Sequence, residues 1–426
     1  MELTILLGSL AILLILGVPV AFSLGIASLV TFLYMDIPPL VAFQRIATGV
    51  NVFSLMAIPF FIFAGNLMQQ AGIAERLVRV ANAAMGRVRG GLGPVNVGSS
   101  LMFGAISGSP IASASALGST LIPMMKKRGY DADYSVNVTT SSAIAGLLLP
   151  PSHNVIIYAA AAGISISIAD LFVAGVVPGI VTGLMLMVVA WLVAVKRGYP
   201  GGEFPGWPIF IRAVVSAIPG ILTALIIFGG ILLGVFTPTE SSAVAVIYTI
   251  LVGFLVYRSL DMRGFMAAAM GAVRTTAMVM LIIGAASAFG WLLALNEAPA
   301  QLADLMRMVS DNPIIMLLMI NIILLVLGIF MDMAPLIVIT TPIFLPIAME
   351  AGMDPVQFGM VMMLNLGIGL ITPPVGSVLF VGCAVGKIRM EDAVKTMWPF
   401  YLVLLFSLML ITYVPGYSLA LLNLMG

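Results

Sequence analysis

Charge is what this sequence has least of. Only 8% of its 426 residues are Asp, Glu, Lys or Arg, against about 25% in a soluble globular chain. Apolar residues make up 62%, more than a soluble protein of this length could bury. The composition therefore belongs to a polytopic α-helical membrane protein. Basic and acidic residues nearly cancel, 18 against 17. No field for nucleic acid and no charged tail results. The one cysteine, Cys383, excludes a disulfide framework and any multi-cysteine metal site; it reads as an inert small hydrophobe. The one histidine, His153, excludes His-based zinc sites and leaves a Ser-His-Asp hydrolase without support. No G-x-x-x-x-G-K-[ST] string occurs. The nearest, Gly382 to Lys387, has one residue too few between its glycines and ends in Ile388, which removes a P-loop as the energy source. The first 34 residues are too long and too apolar for a cleaved signal peptide and lack a basic start, so they read as a retained span.

Long apolar runs are what the sequence has instead. Spans are predicted at Leu3–Tyr34, Val52–Ala71, Ile168–Val195, Ala213–Val235, Ser241–Tyr257, Phe265–Leu295 and Met397–Leu421. Trp207 and Trp398 sit near span ends, where aromatic anchors prefer to lie. Gly72–Gly91 is interrupted by Glu75, Arg76, Arg79, Arg87 and Arg89 and reads as an amphipathic helix at the interface. Two further apolar runs are broken in the middle. Gly93–Met125 breaks at Ser107-Gly108-Ser109-Pro110, and Asn312–Met349 at Met331-Asp332-Met333-Ala334-Pro335. Their halves are shorter than the roughly 20 residues needed to cross, which predicts re-entrant hairpins over 93–125 and 312–349. Each is followed by a span interrupted by adjacent prolines, Pro150-Pro151 within 134–163 and Pro373-Pro374 within 356–385. Two prolines together cannot donate N–H groups, so these helices must be discontinuous.

The two regions match each other. At a constant offset Pro123 pairs with Pro346, Gly129 with Gly352 and Asp131 with Asp354; Gly146 pairs with Gly369 and Gly163 with Gly386. The chain reads as a duplication of residues 1–200 and 205–426, Met1–Pro200 and Pro205–Gly426. Five crossings separate the hairpins, an odd number, so the repeat is inverted. If the base of the first hairpin is cytoplasmic, every Lys and Arg except Arg45 and Arg307 falls at a cytoplasmic end, in accord with the positive-inside rule. That path puts the N-terminus inside and the C-terminus outside. The expected fold is an all-α polytopic membrane protein with an inverted repeat, two re-entrant hairpins and two proline-broken helices.

Broken backbone at membrane depth leaves N–H and C=O groups that need partners, and such breaks in two repeated halves point to a solute site. The four breaks carry the hydroxyls of Ser107, Ser109, Ser152, Thr372 and Ser377 and the glycines Gly108 and Gly376. Hard oxygens suit sodium or another hard cation, and Ser/Gly-rich helix starts suit a carboxylate. Asp332 is the one acid deep in an apolar run, a functional candidate by default, with a plain helix cap as the alternative. His153, beside Ser152 and Asn154, is either a satisfied hydrogen-bonding group or a substrate contact. Glu240 reads as a helix cap, and Gly175, Gly179 and Gly183 as a close-packing face. No paired-acid, Ser-His or metal constellation supports an enzyme. A channel fits paired hairpins less well than alternating access does.

The strings Gly104–Ser109 (GAISGS), Leu149–Ser152 (LPPS), Phe236–Glu240 (FTPTE) and Ile371–Gly376 (ITPPVG) resemble signatures of a known family. Ala57–Gly65 (AIPFFIFAG) and Ala174–Gly179 (AGVVPG) do so too. Together they make the whole chain similar to the large membrane subunit of TRAP (tripartite ATP-independent periplasmic, DctM-like) transporters. The resemblance implies a secondary transporter of the bacterial inner membrane, in the ion-transporter superfamily and of the elevator type. A sodium gradient would drive import of an organic acid. Its partners would be a small four-helix membrane subunit, here a separate chain, and a periplasmic substrate-binding protein. No cofactor is implied beyond Na+ as coupling ion. One ion would lie at Ser107, Ser109 and the Leu149 and Pro150 carbonyls, the other at Gly328, Asp332, Thr372, Pro374 and Gly376. Substrate would meet Ser109, Ser152 and Asp332, with His153 and Ser377 as further candidates. The two hairpins and two broken helices would form a transport domain sliding against a scaffold of the remaining helices. Substrates of the family include C4-dicarboxylates, sialic acids and sugar acids, and the Ser152-His153-Asn154 string leans toward the last two. The alternative is a self-sufficient sodium–anion symporter of the same superfamily.

Overall fold

The computed structural model describes residues 1–85, 88–201 and 206–425, the side chains of Met85 and Ile106 excepted. Arg87 and the repeat limits Pro205 and Gly426 lie outside the described residues. The first half holds α1 (Glu2–Ile15), α2 (Val20–Tyr34), α3 (Pro39–Val50), α4 (Ala57–Gln70), α5 (Ile73–Met85), α6 (Leu92–Ser107), α7 (Pro110–Lys127), α8 (Ala132–Leu147), α9 (His153–Ala161) and α10 (Ile168–Lys196). The second holds α11 (Trp207–Leu232), α12 (Pro238–Leu251), α13 (Met262–Leu295), α14 (Ala298–Val309), α15 (Pro313–Phe330), α16 (Met333–Glu350), α17 (Pro355–Gly369), α18 (Ser377–Gly386), α19 (Met390–Tyr413) and α20 (Pro415–Met425). No strand occurs among the described residues.

Both expected hairpins form. The arm α6 has 16 residues, and α7, α15 and α16 have 18 each. At about 1.5 Å per residue each reaches roughly 24–27 Å, short of a hydrocarbon core of about 30 Å. The tips are built differently. At the first, Gly108 takes a left-handed φ of +60° and ends α6, a conformation that favours glycine. Ser109 then caps α7, its Oγ accepting from the Ala112 N–H at 3.3 Å. At the second, Met331 and Asp332 are both extended, and Asp332 caps α16. The prolines separate α8 from α9 and α17 from α18, and the Pro150-Pro151 and Pro373-Pro374 peptides are both cis.

The repeat is visible in packing as well as in order. The second arm α7 rests on α18 of the other half, and α16 rests on α9. Each first arm crosses its broken helix where two glycines meet. A Cβ on Gly104 would stand 2.5 Å from the Gly146 Cα, and one on Gly369 would stand 2.6 Å from the Gly328 Cα. Buried polar bonds fasten the same crossings. Asn96 Nδ2 donates to Thr139 Oγ1 at 2.7 Å and Ser142 Oγ to Ser100 Oγ at 2.8 Å; in the second half Asn365 Nδ2 donates to Asn321 Oδ1 at 2.8 Å. Each such bond contributes about 0.5–1.5 kcal/mol net.

Two further helices, α10 and α19, pack into this hairpin body. Gly175, Gly179 and Gly183 let the Leu148 backbone and the Leu149 and Leu101 side chains approach α10 closely, the role their spacing predicts. At the far end of α10, Arg197 pairs with Asp131 and Asp133, each at 3.0 Å. The other helices form a second group: α4 packs on α12 and α13, α2 and α3 on α13, and α11 on α12 and α5. Glu240 completes a capping box with Thr237 at the start of α12.

Three expectations need correction. Leu3–Tyr34 is not one span. Gly17 takes φ +79° and Pro19 precedes α2, so the run folds into two helices that lie side by side, as α11 and α12 do. Met397–Leu421 is likewise divided, because Pro415 cannot continue the ladder of α19. The amphipathic α5 does bury Ile73, Leu77, Val78 and Ala81, but against α6 and α11, so protein rather than lipid covers its apolar face. The short helices α3 and α14 were not anticipated.

Candidate functional site

A cavity of about 820 Å³ lies between the two helix groups. It falls within the roughly 300–1,000 Å³ usual for small-molecule sites. One wall is the hairpin body. It presents Ser107 and Ser109 of the first tip, the first turn of α7 (Pro110 to Ala112) and Ser115. It also presents His153 and Asn154 opening α9, and Asp332 with the first turn of α16 (Met333 to Pro335). Three half-helix N-termini therefore open on one space. Each carries the positive end of a helix dipole. The opposite wall comes from the other group: Pro19 to Phe22 before and in α2, Ile62, Gly65, Asn66 and Gln69 of α4, and Thr275 to Ile282 of α13.

The folding of each element explains these positions. Gly108 lets the first tip lie against the first break: a Cβ there would be 2.9 Å from the Pro151 oxygen and 3.2 Å from the Ser152 Cα. That contact carries Ser107 and Ser109 to the start of α9. Ser107 Oγ lies 3.1 Å from Ser113 Oγ. Asp332 is solvent-accessible in the cavity, and its Oδ1 accepts the Met333 N–H at 2.9 Å. Capping and cavity lining are thus both features of Asp332. Among the lining side chains only Asp332 and His153 are ionisable; none is Lys or Arg. Among the described residues no group of three or more His, Cys, Asp or Glu side chains converges. Any cation held here meets serine hydroxyls, backbone carbonyls and at most one carboxylate.

The remaining sequence candidates divide. Ser152, 1% exposed, precedes α9 beneath the lining, and its Oγ is buried without a partner. Leu149 and Pro150 line a separate apolar cavity of about 260 Å³ against α11. Of the second-half candidates only Asp332 lines the large cavity, with Leu370 beside the second break; Gly328, Thr372, Pro374, Gly376 and Ser377 do not line it. Gly328 meets Gly369 at the crossing, the Thr372 Oγ1 donates to the Ile368 oxygen at 2.8 Å, and the Ser377 Oγ is buried without a partner. Tyr401 steadies this break by donating to the Ile371 oxygen at 2.6 Å. Sequence reasoning missed Asn66, Gln69, Ser115 and Thr275. The available signal was the amides Asn66, Gln69 and Gln70 gathered at the end of an apolar helix.

Comparison with known proteins bears on this site. The family model of the DctM component of the tripartite ATP-independent periplasmic transporters matches residues 7–417. The YgiK protein of Salmonella typhimurium is 43% identical over 421 residues, 98% of this chain and 96% of its own. The sialic acid TRAP transporter large permease protein SiaM of Vibrio cholerae is 37% identical, with 96% of each chain covered. Among solved structures, the YdaH transporter of Alcanivorax borkumensis superposes with a TM-score of 0.65 at 14% identity over 89% of each chain, a likeness of fold.

Proposed function

Because the chain belongs to the DctM component family of the tripartite ATP-independent periplasmic transporters, we propose that it is the large permease of a sodium-driven, binding-protein-dependent importer of an organic acid. It is a multi-pass membrane transporter subunit and not an enzyme. The observation that carries the proposal is the convergence of three half-helix N-termini, two tip serines and Asp332 on one cavity between two helix groups. Helix N-termini favour a carboxylate, and hydroxyl, carbonyl and carboxylate oxygens favour a hard cation.

One sodium ion would be held by Ser107, Ser109 and the Leu149 and Pro150 carbonyls, where the first tip meets the first break. The other would be held by Gly328, Asp332, Thr372, Pro374 and Gly376 around the second. The acid would lie against Ser109, Ser152, His153 and Asp332, with Ser377 a further candidate. The moving body would comprise both hairpins, both broken helices and also α10 and α19, which are packed into it, α10 with Arg197 at its end ion-paired to Asp133. It would slide as an elevator past α1–α5 and α11–α14. A small membrane subunit and a periplasmic binding protein would complete the system.

In this reading the basic residues mark the cytoplasmic side of a bacterial inner membrane. The cavity would then open inward, since its lining runs to Gln69 at the end of α4 and to Ser115 on the way to Lys126 and Lys127. If α1 and α2 each cross, the division of Leu3–Tyr34 would add one pass before the first hairpin and would put both termini on the periplasmic side.

Uptake into liposomes containing this chain and the small membrane subunit tests the proposal. Accumulation should require the binding protein and an inward sodium gradient. Accumulation by this chain alone would sink the tripartite reading, and equal accumulation in choline would sink sodium coupling.

A further inference from the structure

The two walls of the large cavity differ in chemistry. The hairpin wall supplies the anion-attracting helix starts. The opposite wall supplies neutral hydrogen-bonding groups on two different helices: Asn66 and Gln69 of α4, and Thr275 of α13. Asn66 is braced, its Nδ2 donating to the Ala268 oxygen at 3.2 Å. Gln69 and Thr275 make no side-chain hydrogen bond among the described residues, and nor do Ser115 and Asn154 on the hairpin wall. Asn154 is only 4% exposed, so its amide is nearly buried, unpartnered and at the cavity edge. A ligand bearing complementary groups would pair with this amide.

We infer that this site selects monocarboxylates carrying several hydroxyl or amide groups, of the sugar-acid kind, over C4-dicarboxylates, and that Gln69 and Thr275 are specificity-determining residues. The inference rests on the transporter reading above. The carboxylate sits at the helix starts of the hairpin wall. The neutral end of the solute spans the cavity to the amide and hydroxyl of the opposite wall. A second carboxylate would arrive at a wall with no Lys or Arg in its lining and would have to shed water without a cation to replace it. A site built to hydrogen-bond hydroxyl groups also rejects solutes lacking them, because its own polar groups are then left unpaired.

The test is equilibrium binding to the full chain together with the small membrane subunit in nanodiscs, in sodium and in choline, with D-gluconate, N-acetylneuraminate, succinate and propionate as probes. At least one of the first two should bind at least tenfold more tightly than both succinate and propionate in sodium. In the double variant Gln69→Leu, Thr275→Val the ratio of that affinity to the propionate affinity should fall at least tenfold. Gln69→Arg, which places a cation on the neutral wall, should shift preference toward succinate. Tighter succinate binding by the unaltered chain, or an unchanged ratio in the double variant, would overturn the specificity inference and leave the transporter reading standing. No binding of any probe in either cation would overturn both.

Discussion

The two hairpin-and-break modules share one construction and differ in what they show to the cavity. Both cross a broken helix at paired glycines, and both lay their second arm on the other half's terminal half-helix. The first module offers a serine tip and the opening of α9, with His153 and Asn154. The second offers an acid, Asp332, and withholds its own half-helix α18. Duplication thus fixes the framework twice, while a few tip residues divide the chemistry. The neutral first module suits the anion, and the acidic second module suits a cation that the anion needs nearby. Were a cation held at the second module, its attraction for the anion in a low-dielectric site would couple the two binding events.

The sharpest way to break that comparison is to remove the acid. Asp332→Ala should lower uptake at least a hundredfold in liposomes, with normal expression and helical content. Ser109→Ala, at the corresponding tip, should cost less, because backbone N–H groups remain at the start of α7. Similar losses from both, or near-normal uptake by Asp332→Ala, would show that the modules do not divide the work. Asp332→Asn separates charge from capping: the amide still accepts the Met333 N–H but attracts no cation, so uptake should stay lost.

A second contrast concerns what the modules share. Gly146 and Gly369 are equivalent, and neither has room for a side chain. A Cβ on Gly146 would lie 2.7 Å from the Ser100 oxygen, and one on Gly369 would lie 2.5 Å from the Gly328 oxygen. Overpacking costs typically about 1–3 kcal/mol, and here the obstacle is backbone. Gly146→Val and Gly369→Val should each lower the unfolding temperature in detergent by several degrees, and by similar amounts. A marked asymmetry would mean that one crossing is not held as tightly as the other.

How much of this was legible follows from where the signals are local. The hairpins, both breaks and the repeat could be read because proline and glycine interrupt apolar runs at matching places, and Glu240 because a capping box spans four residues. The pair α1–α2 was missed although Gly17 and Pro19 mark the turn; apolar residues on both sides hid a break that leaves two helices of 14 and 15 residues. The polar wall was hidden for another reason. Asn66 and Gln69 lie near the end of α4 and Thr275 beside Arg274 and Thr276 in α13, far apart in the chain, and only the packing of α4 on α13 brings them to one cavity. The same holds for α19, whose membership of the hairpin body depends on contacts that no spacing records, whereas the glycine spacing of α10 marks a close-packing face without naming its partner.

The smallest expected effect gives the finest test of the comparison. Ser152 and Ser377 open the equivalent half-helices α9 and α18, and each holds a buried hydroxyl without a partner. If both were idle, removing either hydroxyl would relieve an unsatisfied group and stabilise the protein slightly, by about 1 kcal/mol. At the first module the α9 opening borders the cavity, so Ser152→Ala should raise thermal stability and yet weaken acid binding severalfold. At the second, Ser377→Ala should raise stability to a similar degree with less than a twofold effect on binding, because α18 is turned away from the solute in this state. Measuring melting temperature and affinity on the same two variants separates the shared framework from the divided chemistry. Equal losses of affinity would mean that α18 also comes to the solute, in a conformation with the hairpin body displaced.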